Sequence, residues 1–383
     1  MTALTTHRYI ERKVKTDLKT KMVFVGGPRQ VGKTTFALTM LGATRGREHP
    51  AYSNWDIPEH RSRILRSEIG FSGKLVVFDE IHKFARWRGF MKGFFDRYYP
   101  TKQALVIGSA SLDYYRRGGD SLQGRYHYYR MHPYSLGELS PRPRASDLEL
   151  LLRFGGFPEP LAKSTEVAWR RWQHERKARV LDADLRDLER VEDVSILELL
   201  LDALPPRVGS PLSLQSLREQ LQVSHDSVRR WLTIFERLYL CFRISPFGVP
   251  RIRAVKKEQK LYLWDWTEVP EPGPRFENLV ASHLLKYCHF REDTEGFSME
   301  LRFLRDTDRR EIDFVVLQDK RPLFAVECKT GERQASPHAF YFRERTGIPR
   351  FYQVHLGTKD FGDETCGVRV LPFTRFVSEV GLP

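Results

Sequence analysis

Three short apolar runs punctuate the first third of the chain, and each ends in small or acidic residues. Lys21-Met22-Val23-Phe24-Val25, Lys74-Leu75-Val76-Val77-Phe78 and Gln103-Ala104-Leu105-Val106-Ile107 show no polar alternation. That is the pattern of strands buried on both faces in a parallel sheet. Phe36 to Met40, after the first run, resumes with helix formers. From Trp169 to Leu204, Trp172, Val180, Leu181, Leu185, Leu188, Val191, Ile196, Leu197, Leu200 and Leu201 fall largely at helical spacings, predicting a helical connector. Leu212 to Leu221 predicts a short amphipathic helix, Gln222-Val223 a turn, and Ser224 an N-cap for a helix over Val228 to Leu238. Two strand-like runs follow, Leu240 to Ile244 and Lys260 to Trp264, giving a helix-turn-helix with a β-wing. Beyond Gly273 the pattern predicts a helix over Phe276 to Leu285 and strands over Met299–Arg305, Arg310–Leu317 and Leu323–Lys329. The expected architecture is α/β with domains at 1–160, 161–268 and 269–383.

Composition narrows the class. At 383 residues the chain is long for one domain, and 41% hydrophobic with 12% aromatic residues is ample for packed cores. No run of about 18 apolar residues appears, so no membrane span is expected. The N-terminus lacks an apolar signal centre, so the expected location is the cytoplasm. The four cysteines, Cys241, Cys288, Cys328 and Cys366, are too scattered for a zinc site or a disulfide scaffold. The formal charge of +14 points to a polyanionic partner. Nucleic acid, DNA first, is the default; an anionic membrane surface or simple solubility would also account for the charge.

The stretch after the first strand carries the sharpest chemistry. Gly27-Pro28-Arg29-Gln30-Val31-Gly32-Lys33-Thr34, followed by Thr35, fits the phosphate-loop spacing and lies between a predicted strand and helix. Backbone N–H groups of Gln30 to Lys33 would curl around a phosphate, Lys33 would reach the β- and γ-phosphates of ATP, and Thr34 would hold Mg²⁺. Asp79 and Glu80 close the second strand, where one acid would hold the Mg²⁺ shell and the next would polarise the attacking water. Ser109, at the tip of the third strand, would sense the γ-phosphate or simply cap the strand. Arg125 would act on a γ-phosphate in its own or a neighbouring subunit, or form a structural salt bridge. The first alternative implies a nucleotide-dependent homo-oligomer.

In the middle of the chain, Arg229 and Arg230 on the second helix, and Arg251, Arg253, Lys256 and Lys257 in the wing, would hold a duplex by its phosphates. Near the C-terminus, strand alternation puts Glu327 and Lys329 on one face. With Asp313 on the neighbouring strand, they converge as two carboxylates and an ammonium, a set suited to Mg²⁺ or Mn²⁺ and to phosphodiester chemistry.

Gly27 to Thr35, Val77 to Lys83, Gly108-Ser109-Ala110-Ser111 and Leu122-Gln123-Gly124-Arg125 together resemble prokaryotic AAA+-type ATPases that carry a C-terminal domain called DUF4143. Pro133 to Leu139 and Phe154-Gly155-Gly156-Phe157-Pro158 are similar to that family as well. Ala110 departs from it, since relatives usually have a second serine there. The C-terminal constellation resembles the PD-(D/E)XK restriction-endonuclease fold. That resemblance implies Glu277 as the helix acid, Asp313 and Glu327 as metal ligands and Lys329 as the catalytic lysine. Two functions are implied: an ATP-dependent nucleic-acid-processing enzyme that cleaves, or an ATP-gated switch or adaptor whose nuclease-like fold binds DNA or protein without cutting.

Overall fold

A computed structural model of the chain describes residues 7–42, 46–66, 68, 73–109, 112, 122–180, 194–248, 258–363 and 367–383. They gather into two compact units, Ala3–Pro133 and Tyr134–Pro383. Ala110, Ser111, Leu181, Leu185, Leu188, Val191, Arg251, Arg253, Lys256, Lys257 and Cys366 lie outside the described residues.

The first unit is built on five strands: β1 (Met22–Gly26), β2 (Tyr52–Asn54), β3 (Leu75–Asp79), β4 (Gln103–Ile107) and β5 (Tyr126–Arg130). All pairings are parallel, in the order β2-β3-β4-β1-β5. Every residue of β1 is buried, as its unbroken apolar run requires of a central strand covered on both faces. Phe24, Phe78, Val106, Trp87 and Met91 form the core on one side. The order sets β3, β4 and β1 side by side, so whatever follows their carboxyl ends shares one crevice. Tyr52 to Asp56, which reads in sequence as a short strand and turn, supplies β2, and a helix, Pro58–Leu65, started by proline at its first turn, follows it.

The second unit holds an eight-stranded mixed sheet, ordered β12-β13-β11-β10-β9-β8-β6-β7. Its strands are β6 (Cys241–Pro246), β7 (Lys260–Leu263), β8 (Met299–Arg305), β9 (Glu311–Gln318), β10 (Arg321–Lys329), β11 (Phe351–His355), β12 (Gly362–Asp363) and β13 (Val368–Pro372). The helices expected in the middle appear as Leu214–Leu221, capped by Ser213, and His225–Arg237, capped by Ser224. The hairpin expected as a wing, β6 with β7, is also the edge of this sheet, because Ser245 and Pro246 pair in parallel with Arg302 and Phe303 of β8. The apolar pattern marked the strands, but nothing in it shows which strand a hairpin joins. Helix Pro272–Glu295 starts before the expected Phe276 and places Glu277 in its second turn. The side chain of Asn278 on this helix accepts from Leu263 N–H and donates to Leu263 O, clamping helix to β7.

Candidate functional site

In the first unit the phosphate loop leaves β1 through glycines whose replacement sterics forbid. A Cβ on Gly26 would stand 1.8 Å from the Tyr128 hydroxyl, and one on Gly27, at φ +147, would stand 2.3 Å from Met131 O. Gln30 and Gly32 also take positive φ, curling the loop into helix Lys33–Met40. Lys33 Nζ donates to the carbonyls of Gly27 at 2.9 Å and Pro28 at 2.6 Å, so the ammonium lies folded over the loop it serves. Val31 is buried, and its carbonyl accepts from Arg8, which also donates to His132 O. Arg29 flanks the same turn, and Thr35 lies in the first turn of the helix.

Thr34 Oγ1 donates to Asp79 Oδ2 at 3.0 Å, joining the loop to the end of β3. Tyr52, fully buried on β2, donates to the same oxygen at 2.6 Å, and Asn54 donates to the Tyr52 hydroxyl. Burial raises the Asp79 carboxyl and the Glu80 charge adds to this, while Tyr52, Thr34 and Lys33 pull it down. Glu80 sits in the left-handed region at φ 53, turning its carboxylate to the end of β4. There Ser109 N–H donates to Oε1 at 3.1 Å and Ser109 Oγ approaches Oε2 at 3.5 Å. His82 stands 3.4 Å from Glu80, held neutral by a pKa pushed down to about 3, chiefly by burial and then by Lys83. The structure thus gathers Gly27 to Thr34, Asp79, Glu80 and Ser109 at the carboxyl end of one sheet. Arg125 instead pairs with Asp96 at 2.9 Å. Sequence reasoning missed Tyr52 and Arg8; Tyr52 faces Asp79 only because β2 and β3 pair in register, Asn54 beside Asp79.

In the second unit, β9 and β10 place Asp313 and Glu327 next to one another on one face, as Val326 pairs with Phe314. Asp313 Oδ2 accepts from Cys328 N–H at 2.7 Å, and Lys329 Nζ donates to Glu327 Oε1 at 2.7 Å. Glu327 Oε2 is buried with no hydrogen-bond partner. Burial, followed by the Asp313 charge, pushes the Glu327 carboxyl up to about 8. Glu277 comes from helix Pro272–Glu295 and accepts from Tyr262 OH at 2.7 Å and from Lys260 Nζ at 3.2 Å. It is pushed up to about 7 by burial and then by Asp313. Lys260, on β7, is fully buried and also meets Glu311, with Asp313 at 3.9 Å. The acids outweigh its desolvation and keep it charged. The four expected residues Glu277, Asp313, Glu327 and Lys329 are therefore neighbours, and Lys260, Tyr262 and Glu311 are additions that sequence reasoning missed. As a metal seat the cluster offers Asp313 and the unpartnered oxygen of Glu327; among the described residues no group of three or more His, Cys, Asp or Glu side chains forms a metal cage.

On helix His225–Arg237, Asp226, Arg229, Arg230, Thr233, Ile234 and Arg237 line a concavity of about 440 Å³. Arg229 and Asp226 are largely exposed and pair at 3.2 Å. Among the described residues no helix is long and apolar enough to cross a membrane.

Comparison with known proteins divides the chain in three. Residues 19–140 match an AAA domain, 145–267 match a domain of unknown function (DUF8612), and 272–376 match a domain of unknown function (DUF4143). Two uncharacterized proteins, of Mycobacterium tuberculosis and Mycobacterium bovis, are each 24% identical over 247 residues, covering 64% of this chain and 54% of the relative. The chain thus spans about half the length of the curated relatives it matches. Among solved structures, the RuvB Holliday junction branch migration motor of Thermotoga maritima is 14% identical, covering 61% of this chain and 87% of its own, with a TM-score of 0.30. The Aeropyrum pernix Orc1 protein, solved in complex with DNA, is 13% identical, covering 72% and 93%, with a TM-score of 0.32. The parallel sheet and the phosphate loop after its first strand fit the AAA domain matched over residues 19–140.

Proposed function

We propose that the protein hydrolyses ATP with Mg²⁺ in the Ala3–Pro133 unit and uses the cycle to govern binding of nucleic acid, DNA first, by the rest of the chain. The observation that carries the ATPase half is the link Thr34–Asp79–Tyr52 beside Glu80–Ser109. Thr34 and Asp79 are the hard oxygen donors for Mg²⁺ on ATP, Lys33 neutralises phosphate charge, and Glu80 orients the attacking water. Ser109 N–H fixes Glu80, and its hydroxyl, at the long limit of 3.5 Å from the same carboxylate, is the group that senses the γ-phosphate or places the water. Arg125 is bound to Asp96 and serves as a finger only if that pair opens on assembly of a homo-oligomer.

The binding half is supported by the excess of 63 Lys and Arg over 49 Asp and Glu and by the arginine face of helix His225–Arg237, in a helix-turn-helix with a β-wing. Arg251, Arg253, Lys256 and Lys257 extend this proposal to the wing. Fluorescence anisotropy of duplex, single-stranded and branched DNA, with ATP, without it, and with Lys33→Ala, tests it. Affinity indifferent to nucleotide in the intact protein, or no affinity at all, sinks the proposal.

A second reading, metal-dependent phosphodiester cleavage by a nuclease-like fold, is favoured by the buried Glu327 oxygen left without a partner next to Asp313. In it Asp313 and Glu327 hold the ion, Glu277 supports them, and Lys329 stabilises charge on the phosphorane. Without cleavage, the same domain is the binding arm of an ATP-gated switch or adaptor. Mg²⁺-dependent products that vanish with Asp313→Ala and Lys329→Ala decide for cutting.

A further inference from the structure

The C-terminal cluster contains four acids, Glu277, Glu311, Asp313 and Glu327, and two lysines, and the lysines divide it. Lys329 belongs to Glu327 and is one-third exposed, so its side chain has room to move. Lys260 has none: its side chain is 0% exposed, its ammonium is in contact with Glu277, Glu311 and Asp313, and the Phe303 ring lies 5.7 Å from it. Its backbone is held as well, paired with Ile244 on one side and bridged to Pro211 on the other. Asn278 clamps the same strand to the helix that carries Glu277. A divalent ion needs oxygens at about 2.0–2.6 Å, and on this side of the cluster the ammonium already stands among them. The oxygen left over is Glu327 Oε2, buried, unpartnered and beside Asp313.

We propose that Lys260 is a built-in cation that fills the Glu277–Glu311–Asp313 side of the cluster, leaving a single divalent-ion seat between Asp313 and Glu327. This rests on the reading of those two acids as the metal pair. It also makes the cluster a joint product of two matched regions. Lys260 lies within 145–267 and the acids within 272–376, so the latter alone would lack its fixed counter-charge.

The test counts bound Mn²⁺ by electron paramagnetic resonance in the full chain without nucleotide, in an Asp79→Asn background that removes the carboxylate of the other site. The expected count is about one ion per chain, a second appearing with Lys260→Met. Because Lys260→Met strands three half-buried acids and risks unfolding, two further variants carry the test by themselves. Glu311→Gln, on the lysine side, keeps the ion, and Glu327→Gln loses it. Two ions or none with Lys260 intact, or loss of the ion in Glu311→Gln, overturns the proposal. A bound ion with no DNA products at any Mn²⁺ concentration refutes cleavage and leaves the assignment of Lys260 standing.

Discussion

The Tyr52 hydroxyl donates a 2.6 Å hydrogen bond to the same Asp79 oxygen that accepts from Thr34. Two donors on one carboxylate oxygen leave the other for the Mg²⁺ proposed at this site, and losing one donor, at about 1–1.5 kcal/mol, corresponds to roughly tenfold in rate. Tyr52→Phe keeps the packed ring and removes only the hydroxyl. ATP turnover should fall about tenfold with a higher half-saturating Mg²⁺, while nucleotide binding without metal stays constant. Steady-state hydrolysis over a Mg²⁺ titration measures it; an unchanged Mg²⁺ dependence would place Tyr52 in packing alone.

Glu80 and Ser109 give a second expectation. The carboxylate is held by Ser109 N–H, and the side-chain hydroxyl lies at the long limit of 3.5 Å. Because the backbone supplies the better contact, Ser109→Ala should reduce turnover only a few-fold. Glu80→Gln should reduce it by about 10²-fold or more, since a carboxamide polarises water poorly. Both should bind ATP as tightly as the parent, as read by equilibrium binding of a fluorescent analogue.

Arg229 and Arg230 make the nucleic-acid proposal quantitative. Each phosphate contact contributes about 0.9 to the slope of log affinity against log salt. Replacing both by Ala should lower that slope by about 1–2 and weaken binding similarly for all sequences. Unchanged slopes would move the interface off this helix.

Much of this was legible in the chain. The phosphate loop, Asp79, Glu80, the helix cap Ser224 and the trio Asp313, Glu327 and Lys329 were readable from residue type and spacing, and Glu277 joined them through the resemblance to the PD-(D/E)XK fold. Tyr52, Arg8 and Lys260 were not. Each acts through a partner far away in sequence: Tyr52 reaches Asp79 across a strand pair, Arg8 reaches His132, and Lys260 reaches acids on a helix and on β9. A lysine at the head of an apolar strand reads as a solvated end, and only the order of the sheet reveals it as buried. The same order explains why the hairpin expected as a wing lies at a sheet edge.

His283 supplies a test of stability. Its ring is fully buried in the second unit, with Nε2 accepting from Leu136 N–H at 2.9 Å and Nδ1 donating to Leu279 O at 2.8 Å. The ring must be neutral to accept, and burial, with Lys286 nearby, pushes its pKa down to about 3. Above pH 6.5 the ring is neutral in folded and unfolded chains alike. Below it the unfolded chain takes up a proton that the fold refuses, so stability is lost as pH falls from 6.5 toward 3. His283→Gln replaces the ring with a group that does not titrate and should cost about 1–3 kcal/mol at pH 7.5 through disturbed packing and hydrogen bonding. At pH 5.5 the parent carries a penalty of about 1.4 kcal/mol that the variant does not, and the gap between them should narrow by that amount. Urea unfolding of both proteins at the two pH values measures the gap, and other titrating groups cancel in the difference. A gap that stays constant, or widens toward acid, would mean that the folded ring accepts a proton and that the Leu136 contact is not what holds it neutral.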